Sequence, residues 1–306
     1  MFCVTLCVTE LDLVTESLNE RSIFFHETSC FGTGTIYLTS RQLCAIESAA
    51  HMNPNMTIYL LVLSHSNVSE ITRKSIMVLS SAYNNIEIYR IVIDDYIENT
   101  PLEKWWNSRI LEFSQWPRSH ASDVLRYLTL WKYGGIYLDL DFVIISSLQN
   151  LTNFAGAEDW ENVAAGAIGL TKTSMLGRKI ADACIRDLKK NFRGNDWGNN
   201  GPGVITRALQ KICATKYARD MSTARCHGFT VSPPSAFYPI HYKKWKQYFD
   251  KKKKNLTMEK VQKSFAIHVW NKLSSTEPVL VGSDVPYASI ASKYCPKTYT
   301  SCGNTF

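Results

Sequence analysis

The chain has 306 residues, of which 45% are hydrophobic, 20% charged and 12% aromatic, a composition that excludes disorder, collagen and coiled coil and suits an ordinary globular protein. A membrane-spanning helix needs roughly 18 uncharged, mainly apolar residues, and the longest uncharged run after residue 100, residues 142–157, is interrupted by Ser146, Ser147, Gln149, Asn150, Thr152 and Asn153. The formal charge of +7 equals the surplus of residues 241–263 alone, where nine lysines face Asp250 and Glu259, so no broad basic face exists and a nucleic-acid partner is not expected.

From the N-terminus, residues 1–13 carry a short apolar patch around Cys3 to Val8 with no basic flank, a poor signal peptide, and residues 1–20 are expected to be a remnant or stem ahead of one domain over residues 21–300. Residues 22–25 form a short apolar run that ends in His26, Glu27, Thr28 and Ser29. Residues 43–51 read as helix, residues 57–63 as a buried strand and residues 86–93 as an alternating strand. Residues 94–114 look helical or irregular. Residues 119–133 are expected to be a helix capped by Ser119 or Ser122, with Val124, Leu125, Leu128 and Trp131 on one side and Gly134-Gly135 as its stop. A strand resumes at residues 136–140 and another covers residues 142–145. The second half is looser, with a strand near residues 164–170, helices near 174–192 and 203–214, a turn at Pro233-Pro234 and a late strand at 265–270. Strands separated by helices imply an α/β protein with a mainly parallel sheet covered on both faces, whose ligand site lies beyond the carboxyl ends of the strands.

The segment from Tyr137 to Phe142 holds the sharpest chemical signal. Side chains two apart on a strand point the same way, so Asp139 and Asp141 converge on one cation while Leu138, Leu140 and Phe142 anchor the other side. Two adjacent carboxylates repel unless a cation lies between them. Carboxylate oxygens suit Mg²⁺ or Mn²⁺, ions that complete their shells with substrate phosphates. The sequence lacks a G-x-x-x-x-G-K-S/T loop and a G-x-G-x-x-G after its first strand, which removes the usual cradles for phosphoryl transfer and nicotinamide chemistry. Sugar transfer from a nucleotide sugar, with the metal gripping the diphosphate leaving group, is what remains.

Nine cysteines include no C-x-x-C pair of zinc spacing, and four N-x-S/T acceptors at Asn55, Asn67, Asn150 and Asn255 fit passage through the secretory pathway, where some of Cys44, Cys184, Cys213, Cys226 and Cys295 would pair. The lysines from Lys243 to Lys254 are either a solvated stretch or a contact with anionic lipid head groups.

The block from Ser119 through Arg126-Tyr127 and Gly134-Gly135 to Asp139-Leu140-Asp141 resembles the "S-D-x-x-R-Y…G-G-x-Y-x-D-x-D" signature of glycosyltransferase family 32. His26 to Ser29, Cys44 to Ala50, Asn200-Gly201-Pro202, Pro233 to Tyr238 and Ala266 to Lys272 extend the resemblance to the animal α-1,4-galactosyltransferase branch, over roughly residues 22–297. The resemblance implies a GT-A type nucleotide-sugar transferase fold, a UDP-sugar donor, Mn²⁺ and retaining transfer of a hexose to a glycolipid acceptor such as lactosylceramide. It also implies a single-pass type II protein of the Golgi lumen, an expectation at odds with a sequence that begins almost at the catalytic domain.

Asp141 is expected to ligate the metal, with Asp139 on the metal's water or the ribose and His268 as third ligand. Asp123 and Arg126 share a helix face; they form an intrahelical ion pair or, as the family implies, bind the donor sugar and diphosphate. Asn199 or Asn200 would present an amide beside the reacting carbon, although animal relatives tend to carry His-Gln there, so the donor preference stays open between galactose, N-acetylgalactosamine and N-acetylglucosamine. Trp270 and Lys272 would close over the donor, and His26, Thr28 and Ser29 would sit under the nucleotide. A catalytically silent carbohydrate-binding protein on the same scaffold is the competing reading from another class.

Overall fold

The computed structural model describes residues 21–29, 35–63 and 67–306. The expected N-terminal remnant, together with Cys3, Cys7 and Cys30, lies outside the described residues.

Three parallel strands come first: β1 (Ser22–Glu27), β2 (Thr57–Val62) and β3 (Ile86–Arg90). They are joined by helices α1 (Ser40–Met52) and α2 (Glu70–Ala82). Thr39 starts α1 with a reciprocal pair of hydrogen bonds to Gln42, and Ser69 caps α2 through the Thr72 N–H, so each helix opens on a side-chain acceptor for its free N–H groups. Short helices α3 (Ile93–Ile97) and α4 (Glu103–Asn107) fill the stretch expected to be helical or irregular, and α5 (Pro117–Tyr133) follows. α5 begins two residues earlier than expected because Pro117 takes its first turn, where the missing N–H costs nothing; neither Ser119 nor Ser122 is its cap. It stops at Gly134 (φ +71°) and Gly135 (φ +79°), where a Cβ would lie 2.8 Å from the Leu170 and Ser22 carbonyls respectively. The Gly-Gly pair therefore both reverses the chain and lets β4 (Gly135–Leu138) enter between its neighbours.

β5 (Phe142–Ile144), β6 (Phe154–Ala157) and β7 (Val163–Leu170) precede α6 (Met175–Asn191) and α7 (Pro202–Ile212), and β8 (Thr230–Ser232) leads into α8 (Pro234–Phe237). α9 (Lys254–Val261), β9 (Ala266–His268), α10 (Asn271–Ser274), α11 (Pro286–Tyr294) and α12 (Pro296–Ser301) complete the chain. The central sheet has seven strands in the order β3-β2-β1-β4-β7-β6-β8. Four of its pairings are parallel, but β7 runs antiparallel to both β4 and β6. The mainly parallel α/β sheet is thus as expected; β7 is its reversed strand, and the strands beyond it, β6 and β8, carry too few residues to show a period. The Pro233-Pro234 turn is the start of α8, and the late strand is shorter than expected because Trp270 turns into the left-handed region (φ +57°).

Alternation along the strands builds a core on each face. Phe24, Tyr59, Leu61 and Tyr137 pack under α5, α6 and α7; Ile23, Phe25, Leu60, Ile136 and Leu138 pack under α1 and α2. A third cluster, with Val143, Ile267, Val269, Tyr287 and Ile290, lies behind the small antiparallel sheet of β5 and β9. Among the described residues two disulfides, Cys44–Cys295 and Cys213–Cys226, brace the molecule, and Cys184 is a buried free thiol. All four N-x-S/T asparagines are exposed. No helix among the described residues is long and apolar enough to cross a membrane.

Candidate active site

Asp139 and Asp141 come together by a route the strand pattern did not foresee. β4 ends at Leu138, opposite Ala167, and residues 139–141 form a tight turn closed by the Phe142 N–H donating to the Asp139 carbonyl (3.2 Å). Leu138 and Phe142 are fully buried on either side and pin the turn, while Leu140 is only half-buried. The pair therefore converges through a turn and not, as expected, through alternation along a strand.

β9 brings the third group. Phe142 and His268 are register partners, which sets His268 Nε2 2.9 Å from Asp141 Oδ1 and 4.0 Å from Asp139 Oδ2. One ligand atom from each of Asp139, Asp141 and His268 lies within 4.8 Å of the others. Two carboxylate oxygens and an imidazole nitrogen at such separations could hold a divalent cation. Burial alone would lower the His268 pKa, but the Asp141 carboxylate beside it, with Asp139 and Glu158, outweighs burial and raises it. Burial likewise raises the Asp141 pKa, and His268 with the Asn271 N–H (3.0 Å from Oδ2) more than offsets it.

Arg126 is the positive centre on the other side. It donates to the Ala165 carbonyl (3.0 Å), pairs with Asp123 Oδ1 (3.1 Å) and Asp139 Oδ1 (3.4 Å), and lies 4.9 Å above the Tyr137 ring. The ion-pair reading of the Asp123–Arg126 spacing is thus seen, and Arg126 also reaches the aspartate turn. Burial lifts the Asp123 pKa to about 7 against the opposing pull of Arg126. Tyr137 adds a hydroxyl that donates to Asp139 Oδ1 (2.8 Å). No role for Tyr137 was read from the sequence, although its position two residues before Asp139 was a signal that could have found it.

The remaining expected residues divide. Thr28 and Ser29 follow β1 at its carboxyl end, where the Ser29 N–H donates to Glu27 (2.6 Å). His26 lies deeper. Its Nε2 meets the Thr129 hydroxyl at 3.0 Å and its ring packs against Tyr137, and burial followed by the charge of Arg126 drops its pKa to about 3, so it is a neutral wall behind the site. Asn200 is fully buried, with its amide exchanging hydrogen bonds with the Arg193 N–H (2.9 Å) and carbonyl (2.7 Å). Asn199 is held by Asn191 and Arg207 in the same way. These amides shape a loop whose next residue, Gly201, lies so close to Asp123 that a Cβ there would strike the carboxylate. Trp270 packs 4.2 Å from His268, and Lys272 reaches over the Trp197 ring at 4.7 Å. Sequence reasoning missed Glu158, a partly buried acid whose pKa is raised by burial and by Asp159 and lowered by the charge of His268; no local pattern marks it.

Two family models match this chain. Residues 39–158 match a glycosyltransferase sugar-binding region containing a DXD motif, and residues 173–302 match an alpha 1,4-glycosyltransferase conserved region. Lactosylceramide 4-alpha-galactosyltransferase of Mus musculus is 32% identical over 91% of this chain and 75% of its own length, and that of Homo sapiens is 31% identical over 91% and 76%. Alpha-1,4-N-acetylglucosaminyltransferase of Homo sapiens is 26% identical over 84% of this chain and 74% of its own. Among solved structures, PaToxG glycosyltransferase (TM-score 0.48, 16% identity, 94% of this chain and 88% of that one) and galactosyltransferase LgtC (TM-score 0.42, 14%, 91% and 95%) are similar in trace. With a relative this similar over most of both lengths and its aspartate turn inside the DXD-containing region, the chain belongs to the alpha 1,4-glycosyltransferase family that includes the lactosylceramide 4-alpha-galactosyltransferases.

Proposed function

We propose that this protein is a retaining α-1,4-glycosyltransferase that moves galactose from UDP-galactose to a glycolipid acceptor such as lactosylceramide. One observation carries the reading: a cation-sized cluster of Asp139, Asp141 and His268 sits beside the Asp123–Arg126 pair in a chain whose relatives are named for that transfer. The donor-sugar alternative, N-acetylglucosamine, has its own support in the relative named for it.

Mn²⁺ held by Asp139, Asp141 and His268 would supply positive charge to the diphosphate as it leaves. Arg126 adds a second positive centre, held in place by the Ala165 carbonyl so that it loses little freedom when the donor binds. Asp123 accepts hydrogen bonds from donor-sugar hydroxyls, and the loop through Asn200 and Gly201 keeps its carboxylate in place. Lys272 and Trp270 close over the donor, and Thr28 and Ser29 border the nucleotide.

Transfer with retention is drawn as same-face displacement. The bond from the anomeric carbon to the β-phosphate oxygen breaks with its electron pair, the acceptor 4-hydroxyl oxygen bonds to the same face, and its proton passes to the leaving phosphate. Expected work at a glycolipid surface is consistent with a Golgi lumenal setting, the two disulfides and the exposed Lys243, Lys244 and Lys246.

Incubation with UDP-galactose, UDP-N-acetylgalactosamine or UDP-N-acetylglucosamine over lactosylceramide, with the product's linkage read by NMR, tests the proposal. An α-1,4-linked galactose is expected. A β-linked product, or transfer of another sugar only, would overturn the corresponding part.

A further inference from the structure

Pro233 to Tyr238 is the block to which no chemistry has yet attached, and the fold sets its last residue against the metal-ligand cluster. The Tyr238 N–H donates back to the Pro234 carbonyl (2.7 Å) and closes α8. The Tyr238 ring then packs on Phe142 (5.5 Å), His268 (5.4 Å) and Trp270 (5.6 Å), so it forms part of the apolar wall of the cluster. Its hydroxyl is shielded from solvent and has no hydrogen-bond partner in the protein. A buried hydroxyl left in that state costs about 1–3 kcal/mol, and native proteins retain such groups where a bound water, ion or function answers them.

Gly166 shows what the hydroxyl faces. A Cβ there would lie 2.6 Å from Asp139 Oδ2 and 3.0 Å from the Tyr238 hydroxyl, so both oxygens border one notch that only glycine leaves open. Asp139 is held unevenly. Oδ1 accepts from Tyr137 at 2.8 Å and pairs with Arg126 at 3.4 Å, whereas Oδ2 has His268 Nε2 only at 4.0 Å.

We infer that Tyr238 is a positioning residue for Asp139: its hydroxyl donates to Oδ2, directly or through one water in the Gly166 notch, and fixes the carboxylate for the cation. The inference rests on the metal-dependent transferase reading above and adds to it a residue that touches neither metal nor substrate. A bridging water needs two or more polar partners, and the notch supplies two. Burial and the carboxylates of Asp139, Glu158 and Asp141 push the phenol's pKa up, which keeps it a proton donor. Hydrogen-bond partners of metal-binding side chains typically matter 10–100-fold for metal affinity.

Calorimetric titration of Mn²⁺, with UDP present, into wild type, Tyr238→Phe, Gly166→Ala and Asp141→Ala tests it. Phenylalanine keeps the ring packing, so the metal-free unfolding midpoint should stay near wild type. Mn²⁺ should bind Tyr238→Phe about tenfold more weakly, with kcat at saturating Mn²⁺ within about twofold of wild type. Gly166→Ala, whose methyl fills the notch, should also lose affinity. Wild-type affinity in both folded variants, or a fall in kcat with affinity unchanged, overturns the inference. A wild type that binds no Mn²⁺ would instead sink the transferase reading, a failure seen before any variant is compared.

Discussion

Asp123 shows how burial and a partner compete at one residue. The Arg126 guanidinium at 3.1 Å favours its charged form, but burial is the larger effect and Asp139 adds to it, leaving a pKa of about 7 against 3.8 for an exposed carboxyl. A carboxyl whose pKa rises on folding contributes stability that is complete below the unfolded value and is lost as pH climbs through the folded one. Metal-free wild type should therefore lose stability relative to Asp123→Asn between about pH 4 and pH 7. Thermal unfolding in chelator across that range checks this; parallel curves for the two proteins would contradict it. At this scale the Asp139–Asp141 pair was legible because two acids at that spacing point to a cation, whereas His268 was picked out by the family resemblance, a lone histidine on a strand being more often a core residue. Glu158 and Tyr238 were not, because only the folded sheet brings them from residues 158 and 238 to the same place.

The loop between α6 and α7 is the element on which two accounts of Asn200 divide. Its amide is occupied by both polar groups of the Arg193 backbone, which closes the loop on itself, and Tyr127 donates to the Gly201 carbonyl (2.6 Å), which fastens the loop to α5. Asn200→Ala would leave the Arg193 N–H and carbonyl unpaired, with an expected loss of about 1–3 kcal/mol in stability and a raised donor KM as Gly201 drifts from Asp123. An unchanged unfolding midpoint with a collapsed kcat would return the amide to the reacting carbon. Long elements were readable from periodicity: β2, α1, the body of α5, α6 and α7 stand where the pattern put them. The three- and four-residue strands β6 and β8 were not, because so few residues carry no period and their partners lie far along the chain.

Across the whole molecule, contacts join helix α1 to the late part of the chain. Cys44 on α1 is joined to Cys295 between α11 and α12, a separation of 251 residues, and the buried Glu47 carboxylate accepts from the Lys297 (2.8 Å) and Thr298 (2.7 Å) N–H groups. Arg41 on the same helix donates to the Ser274 (2.7 Å) and Glu277 carbonyls, which fastens the segment carrying Lys272. Replacing Cys44 and Cys295 together by Ser should cost about 2–5 kcal/mol in denaturant unfolding; a loss below about 1 kcal/mol would show that the ends hold without the bridge. The parallel half of the sheet followed from alternating strands and helices, but nothing in that alternation revealed that β7 reverses direction beside β4 and delivers Gly166 to the aspartate turn.

UDP release in the presence of UDP-galactose, lactosylceramide and Mn²⁺, compared between wild type and Asp141→Ala, bears most directly on the proposal that a cation held at the Asp139–Asp141–His268 cluster drives glycosyl transfer. Release should require both metal and acceptor, stop in chelator, and fall on the order of 100-fold or more in the variant. Release that proceeds equally in chelator, or survives intact in folded Asp141→Ala, would contradict it.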